Sequence, residues 1–353
     1  MYIRCLDGLR ACAIVLVICS HLLLTEIPLW FRSMFEYWNA GTVGVRLFFL
    51  ISGFLIATLL NNELSQTGRI NFAKFFMRRV LRIFPAYYFY LFVLTVLSIW
   101  GIISIDSSAI VFALFYIQNL NAFQNTTVFP SSWLVNHAWS LSVEEQFYIL
   151  FPFLLKKIAS VVTNHLFKSL MVMTMVCSFF RVLNYSFPEI SLLTGGVFFM
   201  HCDFLFYGVV LAILLDRHRE QLKKKLFRLR YWLLLMATVI LVLSSRVEYY
   251  SALHFLVSGN LILFSNLYIL LFFLLFPNST LGHMLETKPF RLIGKLSYSL
   301  YIWQQLFLGS TDLWLTQKFL TAFPTNIFVI FICACCSFVF IEKPFLKLKT
   351  IYT

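Results

Sequence analysis

Apolar residues run along the chain in stretches too long and too uninterrupted for the one-sided face of a water-soluble helix. Such runs lie near 8–28, 40–61, 84–104, 144–161, 166–184, 191–215, 229–245, 253–276, 291–314 and 323–341. A helix crossing a ~30 Å hydrocarbon core needs roughly 20 residues, so the pattern predicts an all-α, polytopic integral membrane helix bundle of about ten transmembrane helices. The runs 144–161 and 229–245 are the shortest members of this set. Residues 109–120 form a further apolar run too short to cross, which reads as re-entrant or interfacial, or as a helix buried within a loop.

Composition agrees with this pattern: 60% of the 353 residues are hydrophobic and only 12% are charged, against about a quarter in soluble globular chains. The placement of charge then orients the bundle. With the N-terminus cytoplasmic, 23 of the 28 Lys and Arg residues fall on the inner side, and only Arg32, Arg46, Arg181, Arg246 and Lys318 fall outside. That bias predicts that both termini are cytoplasmic. It also accounts for the net charge of +13 without nucleic acid, which is excluded as a partner; membrane lipids are the surroundings this distribution fits. Residues 1–24 imitate a secretory signal, but TEIPLWFR follows them with no small-residue cleavage pattern, so they are taken as the first helix.

The eight cysteines all lie within or beside apolar runs, where they act as small buried side chains rather than a disulfide framework. They show no metal-ligand spacing, so no metal is predicted. The 41 Phe and 16 Tyr are packing, lipid-facing and interfacial residues.

Residues 1–353 read as one membrane domain without internal repeats. Residues 105–143 form a long extracytoplasmic loop with a possible re-entrant helix, polar and turn-rich, with Trp133 and Trp139 at interfacial depth. Residues 62–83 form a cytoplasmic, amphipathic, basic segment that enters the third span at Pro85. There Arg78, Arg79 and Arg82 stand at i,i+3 and i,i+4 spacings. They serve either as a positive-inside anchor or as a surface for phosphate.

The candidate chemistry begins in LDGLRACAIVLVICSH, residues 6–21, where Arg10 and His21 interrupt an otherwise apolar segment. Eleven helical residues make about 3.1 turns and ~16.5 Å, so the two side chains share nearly one face. An ionisable group at such depth faces a bundle interior or a wet cavity; a purely structural hydrogen bond to a neighbouring helix is the alternative. In WSLSVEEQFYILFP, residues 139–152, Glu144 and Glu145 sit where the outer loop becomes the fourth span, and about 100° separates them on a helix. A carboxylate beside an imidazole suits acyl transfer to a hydroxyl. The neutral ring takes the hydroxyl proton, and the carboxylate orients it or offsets its charge. His137, in the same outer loop, is a competing base. Cys19 is two residues from His21 and points away on a helix.

These segments resemble the membrane acyltransferase-3 family, bacterial O-acyltransferases of surface carbohydrates. LDGLRACAIVLVICSH is similar to its Arg-x10-His signature. GTVGVRLFFLISGFLIA (41–57), FFMRRVLRIFPAYY (75–88), WSLSVEEQFYILFP (139–152), LIGKLSYSLYIWQQLF (292–307) and IEKPF (341–345) are similar to further blocks. The resemblance implies a multi-spanning core in the bacterial cytoplasmic (inner) membrane. That core would move an acyl group, most often acetyl, from cytoplasmic acetyl-CoA or another acyl-CoA to a hydroxyl of an extracytoplasmic or lipid-linked carbohydrate. It implies His21 as catalytic base and Arg10 in donor binding; Glu144 and Glu145, of which at most one faces the core, stay the candidate carboxylates that the residues themselves suggest. Arg78, Arg79 and Arg82 would meet the coenzyme A phosphates. Gly44, Phe48, Ser52 and Gly53 match the second block; Ser52 is a candidate substrate contact, and packing is the alternative role for all four.

The chain departs from the family pattern in two places. MHCDFLFYGVVLA, residues 200–212, has His201 where the resembling block usually has Arg two positions before the Asp, here Asp203, a candidate substrate-binding residue. YIWQQLF has Gln304 and Gln305 where many relatives have His followed by a bulky apolar residue. No hydrolase-like extension is expected, so the membrane core would deliver its acyl group alone or with surface-polymer assembly proteins. The rival classes are a transporter or flippase of a glycolipid or small anion, and a membrane scaffold or sensor.

Overall fold

The computed structural model describes residues 3–121, 133–187, 196–246, 252–309 and 318–352. Parts of the expected outer loop (122–132), sixth span (191–195) and ninth span (310–314) lie outside the described residues. Among the described residues the regular structure is helical, and the one β pairing is an isolated antiparallel bridge between Trp38 and Arg246.

Each of the ten expected apolar runs falls on a helix, and seven helices among the described residues are long and apolar enough to cross a membrane. The remaining three runs fall on helices Ala138–Asn164, Arg230–Ser244 and Lys288–Phe307. Arg230–Ser244 has 15 residues, below the roughly 20 that a perpendicular crossing needs. The run 109–120 becomes two short helices, Ser107–Leu114 and Gln118–Asn121.

Local chemistry sets the helix ends that matter for the site. Helix α1 (Arg4–Leu22) is continuous and carries both Arg10 and His21. After the short helix α2 (Leu29–Phe35), Asn39 caps α3 (Ala40–Thr67), accepting from the Thr42 N–H at 3.3 Å, and Gly68 ends it with φ of 70°. Asn71 caps α4 (Phe72–Ile99) by accepting from the Lys74 N–H at 3.0 Å. A side-chain acceptor at this position satisfies an N–H that the helix itself leaves unpaired. Residues 62–67 of the expected basic segment thus end α3, whereas its part from Phe72 is continuous with the third span in one helix with Pro85 inside it.

The chain divides into two compact units. One comprises Met1–Val17, Glu36–Gly68 and Val143–Lys295; the other comprises Ile18–Phe35, Arg69–Ser142 and Leu296–Thr353. In the first, α3 packs along helix Gly196–Leu226 at glycine contacts. A Cβ built on Gly53 would lie 2.0 Å from the Leu205 carbonyl oxygen. Small residues let membrane helices gain dispersion contact along their backbones where no water is available to drive them together. Gly53→Val is expected to force this pair apart and cost about 1–3 kcal/mol or more. The aggregation temperature of the solubilised protein would report the loss, and an unchanged value would refute the contact.

In the second unit, helix Lys288–Phe307 contributes Tyr298, whose hydroxyl donates to the Ile83 carbonyl of α4 at 2.6 Å. The chain then ends in helix Thr325–Cys336, a π-helical turn Ser337–Glu342 and helix Lys343–Leu348. The widened turn holds buried Glu342 against the Ser299 hydroxyl. π-Turns recur at functional sites.

Candidate functional site

His21 ends α1 inside the second unit, and its surroundings there are polar and aromatic. Its ring meets the Trp133 ring edge-on at 5.3 Å between centroids. Trp133 is held in turn by its indole N–H, which donates to the Leu308 carbonyl at 2.7 Å. Gly309 permits this approach: it has φ of 154°, and a Cβ there would lie 2.5 Å from the Trp133 indole nitrogen. Gln304, fully buried, stands beside His21. The two do not reach hydrogen-bond geometry, and His21 Nδ1 and both Gln304 amide atoms are buried without a hydrogen-bond partner among the described residues.

His137 lies in the turn between helices Trp133–Asn136 and Ala138–Asn164 and is buried. Gln305 Oε1 accepts from its backbone N–H at 2.9 Å and stands 2.5 Å from its Nδ1. The Ser140 and Tyr301 hydroxyls, 2.6 Å apart, both reach the His137 carbonyl, at 3.2 and 3.0 Å. Burial drives the His137 imidazole down to about 3, and His21 pushes it the same way. A neutral ring is therefore the form present from pH 5 to 8. Tyr90 packs edge-on against both His137 (5.7 Å) and Trp303 (5.4 Å).

The arrangement is two imidazoles and an amide of Gln304 unpaired among the described residues, set among aromatic rings. It can accept a hydroxyl proton in a site that excludes water, but it offers no fixed charge to neutralise an anion.

A family model described as an acyltransferase domain matches residues 3–342. The chain belongs to the membrane acyltransferase-3 family. O-acetyltransferase OatA of Staphylococcus aureus (strain NCTC 8325) is 29% identical over 331 residues, covering 86% of this chain and 50% of that protein. "Putative peptidoglycan O-acetyltransferase YrhL" of Bacillus subtilis is 30% identical over 324 residues, covering 86% of this chain and 48% of that protein. The chain spans about half the length of these relatives. No solved structure matches it.

Within this acyltransferase-3 chain, the basic motif lies on α4, in the same unit as His21. Arg78 is buried, Arg79 and Arg82 are half-buried, and Arg82 acts electrostatically on Glu342. Arg10 is half-buried on α1, and Glu144 and Glu145 are both half-buried on helix Ala138–Asn164. These three belong to the first unit, as do Ser52 and Asp203. Ser52 shares a 2.6 Å hydrogen bond with the Tyr148 hydroxyl. Asp203 is fully buried and forms an ion pair with Arg181, whose Nε also donates to the Met200 carbonyl at 3.1 Å. The guanidinium that the family block would carry at position 201 thus comes from helix Leu166–Ser186.

The groups that gather around His21 are therefore Trp133, Gln304 and His137, with Gln305 behind His137. Gln304 and Gln305 lie in the block 292–307 and Trp133 and His137 in the outer loop before the block 139–152, but residues 133 and 304 are too far apart in sequence for spacing to show that they meet. An open groove of about 630 Å³ in the first unit, lined by Phe147, Phe151, Phe198 and Phe206 among others, is almost wholly apolar and includes none of the expected site residues.

Proposed function

We propose that the protein is a membrane O-acetyltransferase of the bacterial inner membrane. It takes acetyl from cytoplasmic acetyl-CoA and transfers it to a hydroxyl of an extracytoplasmic or lipid-linked carbohydrate, through a bundle of ten spans with both termini inside. The observation that carries the reading is the buried Nδ1 of His21 beside the amide of Gln304, both without a hydrogen-bond partner among the described residues. A buried imidazole nitrogen with no protein partner among those residues can serve, as a lone pair, the hydroxyl nucleophile that acyl transfer needs.

The thioester supplies the activated acyl group. Arg78, Arg79 and Arg82 suit the coenzyme's phosphates, because guanidinium groups on one helix form charge-assisted, often bidentate, hydrogen bonds. His21 accepts the proton of the acceptor hydroxyl as its oxygen bonds to the acyl carbon, and the coenzyme departs as its thiolate. Arg10 supports donor binding, and Glu144 and Glu145 are the candidate carboxylates of the block 139–152. Ser52 is a candidate acceptor contact, whereas the Asp203 carboxylate is engaged by Arg181. The names of the relatives support a peptidoglycan or other surface glycan as acceptor.

Mass comparison of surface glycans from cells with and without the protein tests this reading. The expected result is a gain of one acetyl mass per modified sugar that depends on the acetyl-CoA supply. Movement of a glycolipid or anion without thioester consumption would overturn it in favour of transport. Arg78→Ala and Arg82→Ala should each raise the KM for acetyl-CoA roughly 10-fold with little change in the acceptor KM. Equal effects on both substrates would remove these arginines from the donor site.

A further inference from the structure

Beyond His21 itself, the buried side-chain atoms of the second unit without a hydrogen-bond partner among the described residues include His137 Nε2, both amide atoms of Gln304 and Trp303 Nε1. Native interiors pair the great majority of such groups, and each exception calls for a reason. Their gathering is not accidental in position. Gln304 stands beside His21, His137 acts electrostatically with His21, and Tyr90 bridges His137 to Trp303. A polar ligand is what this set lacks.

The kind of ligand follows from the chemistry of His137. Its backbone N–H is a donor and nothing else, so the atom of Gln305 facing it at 2.9 Å is the carbonyl oxygen, as assigned. That same oxygen stands 2.5 Å from Nδ1. An oxygen acceptor requires the proton to be on Nδ1, which leaves Nε2 as a bare lone pair. The backbone N–H and Gln305 therefore fix the tautomer before any ligand arrives. Of the remaining groups, Gln304 supplies one acceptor and a two-proton donor, and Trp303 supplies a donor. None carries a formal charge, so the set complements a hydroxyl, which both donates and accepts, better than a phosphate or carboxylate.

We propose that His137, locked by Gln305 as the Nδ1–H tautomer, is a fixed hydrogen-bond acceptor that holds a hydroxyl of the acceptor substrate beside His21, with Gln304 completing an uncharged hydroxyl subsite. This rests on the acyltransferase reading above and deepens it: two imidazoles divide the work, His21 taking the reacting proton and His137 orienting the substrate. Gln305 is a positioning residue that never touches substrate.

The test uses the full chain in membrane vesicles, with labelled acetyl-CoA as donor and envelope glycan fragments from the expressing host titrated as acceptor. His137→Phe should raise the acceptor concentration for half-maximal rate by roughly 10-fold, the scale of one lost hydrogen bond in a dry site, with the value for acetyl-CoA unchanged. His137→Gln, which returns an acceptor oxygen, should recover part of that loss. Gln305→Leu should reproduce part of the His137→Phe defect. Nitrogen-15 spectra of histidine-labelled protein in nanodiscs should show an unprotonated Nε2 in the wild type and a tautomer mixture in Gln305→Leu.

A protonated Nε2 in the wild type, an unaltered His137→Phe, or a defect in acetyl-CoA saturation would overturn the proposal. An active wild type with an unaltered His137→Phe refutes the subsite alone. A wild type that transfers no acyl group refutes the acyltransferase reading and the subsite together.

Discussion

His21→Ala is expected to lower acyl transfer by about 10²–10⁴-fold, the range associated with removing a positioned general base. Membrane insertion and yield should stay close to wild type. The reason lies in what the side chain does in the fold: among the described residues Nδ1 makes no hydrogen bond that the substitution would orphan. The described ring contact is an edge-on one with Trp133, which keeps its own bond to Leu308. Acetyl content of surface glycans at matched expression is the measurement, with acetyl-CoA binding to the same membranes as its companion. Loss of transfer with retained binding identifies the base. Transfer at the wild-type rate would sink the assignment of His21, and with it the most direct meaning of the Arg-x10-His signature.

Asp203→Ala should have the second large effect, and on stability. Asp203 is 0% exposed and Arg181 1% exposed. Removing the carboxylate strands a guanidinium in a low-dielectric interior, where breaking one partner of a buried pair costs about 3–5 kcal/mol. The bond from Arg181 to the Asn260 side chain at 3.3 Å and the packing of Gly259 against its side chain leave the cation little room to withdraw toward water. The double replacement Arg181→Met with Asp203→Leu should recover much of the loss, because apolar groups of similar volume carry no desolvation penalty. Thermal unfolding of the solubilised single and double variants measures this. A folded Asp203→Ala whose defect appears only in the acceptor KM would instead make the carboxylate a substrate contact.

The helices and their approximate ends were legible because the bilayer imposes a length and an apolarity on every crossing. The ten apolar runs all landed on helices. The seven that meet the span criteria share the property that made them readable, long stretches with few charges. Arg230–Ser244 is short, and Lys288–Phe307 keeps Lys288, Arg291 and Lys295 in its first half, so hydropathy alone describes them less well. The run 109–120 illustrates the opposite limit. Its apolar content predicts a helix, but nothing local fixes where a chain of that length turns, and it breaks at Phe115 and Tyr116, the latter with φ of 54°.

The site was legible only one residue at a time. His21 stood out because an imidazole in an apolar run is costly and so needs a reason. His137 was visible as a rival base in a loop, yet its tautomer depends on Gln305, 168 positions away. Gln304 and Gln305 were visible as departures from a family pattern, without an indication that one flanks His21 and the other holds His137. Glu342 was visible inside IEKPF, but its burial against Ser299 depends on a π-helical turn that periodicity does not signal. Asp203 looked like a ligand contact, whereas in the fold its carboxylate is engaged by Arg181.

The sequence by itself determined the membrane class, the helices, the family and the two residues of its signature, since each of these is written in local composition or spacing. Only the tertiary structure decided which polar groups stay unpartnered and which are spent on one another. Hydrogen-bond satisfaction is a property of atoms brought together from distant segments. Ser52 was spent on Tyr148, and Asp203 on Arg181. His21 Nδ1 and His137 Nε2 were left without a hydrogen-bond partner among the described residues.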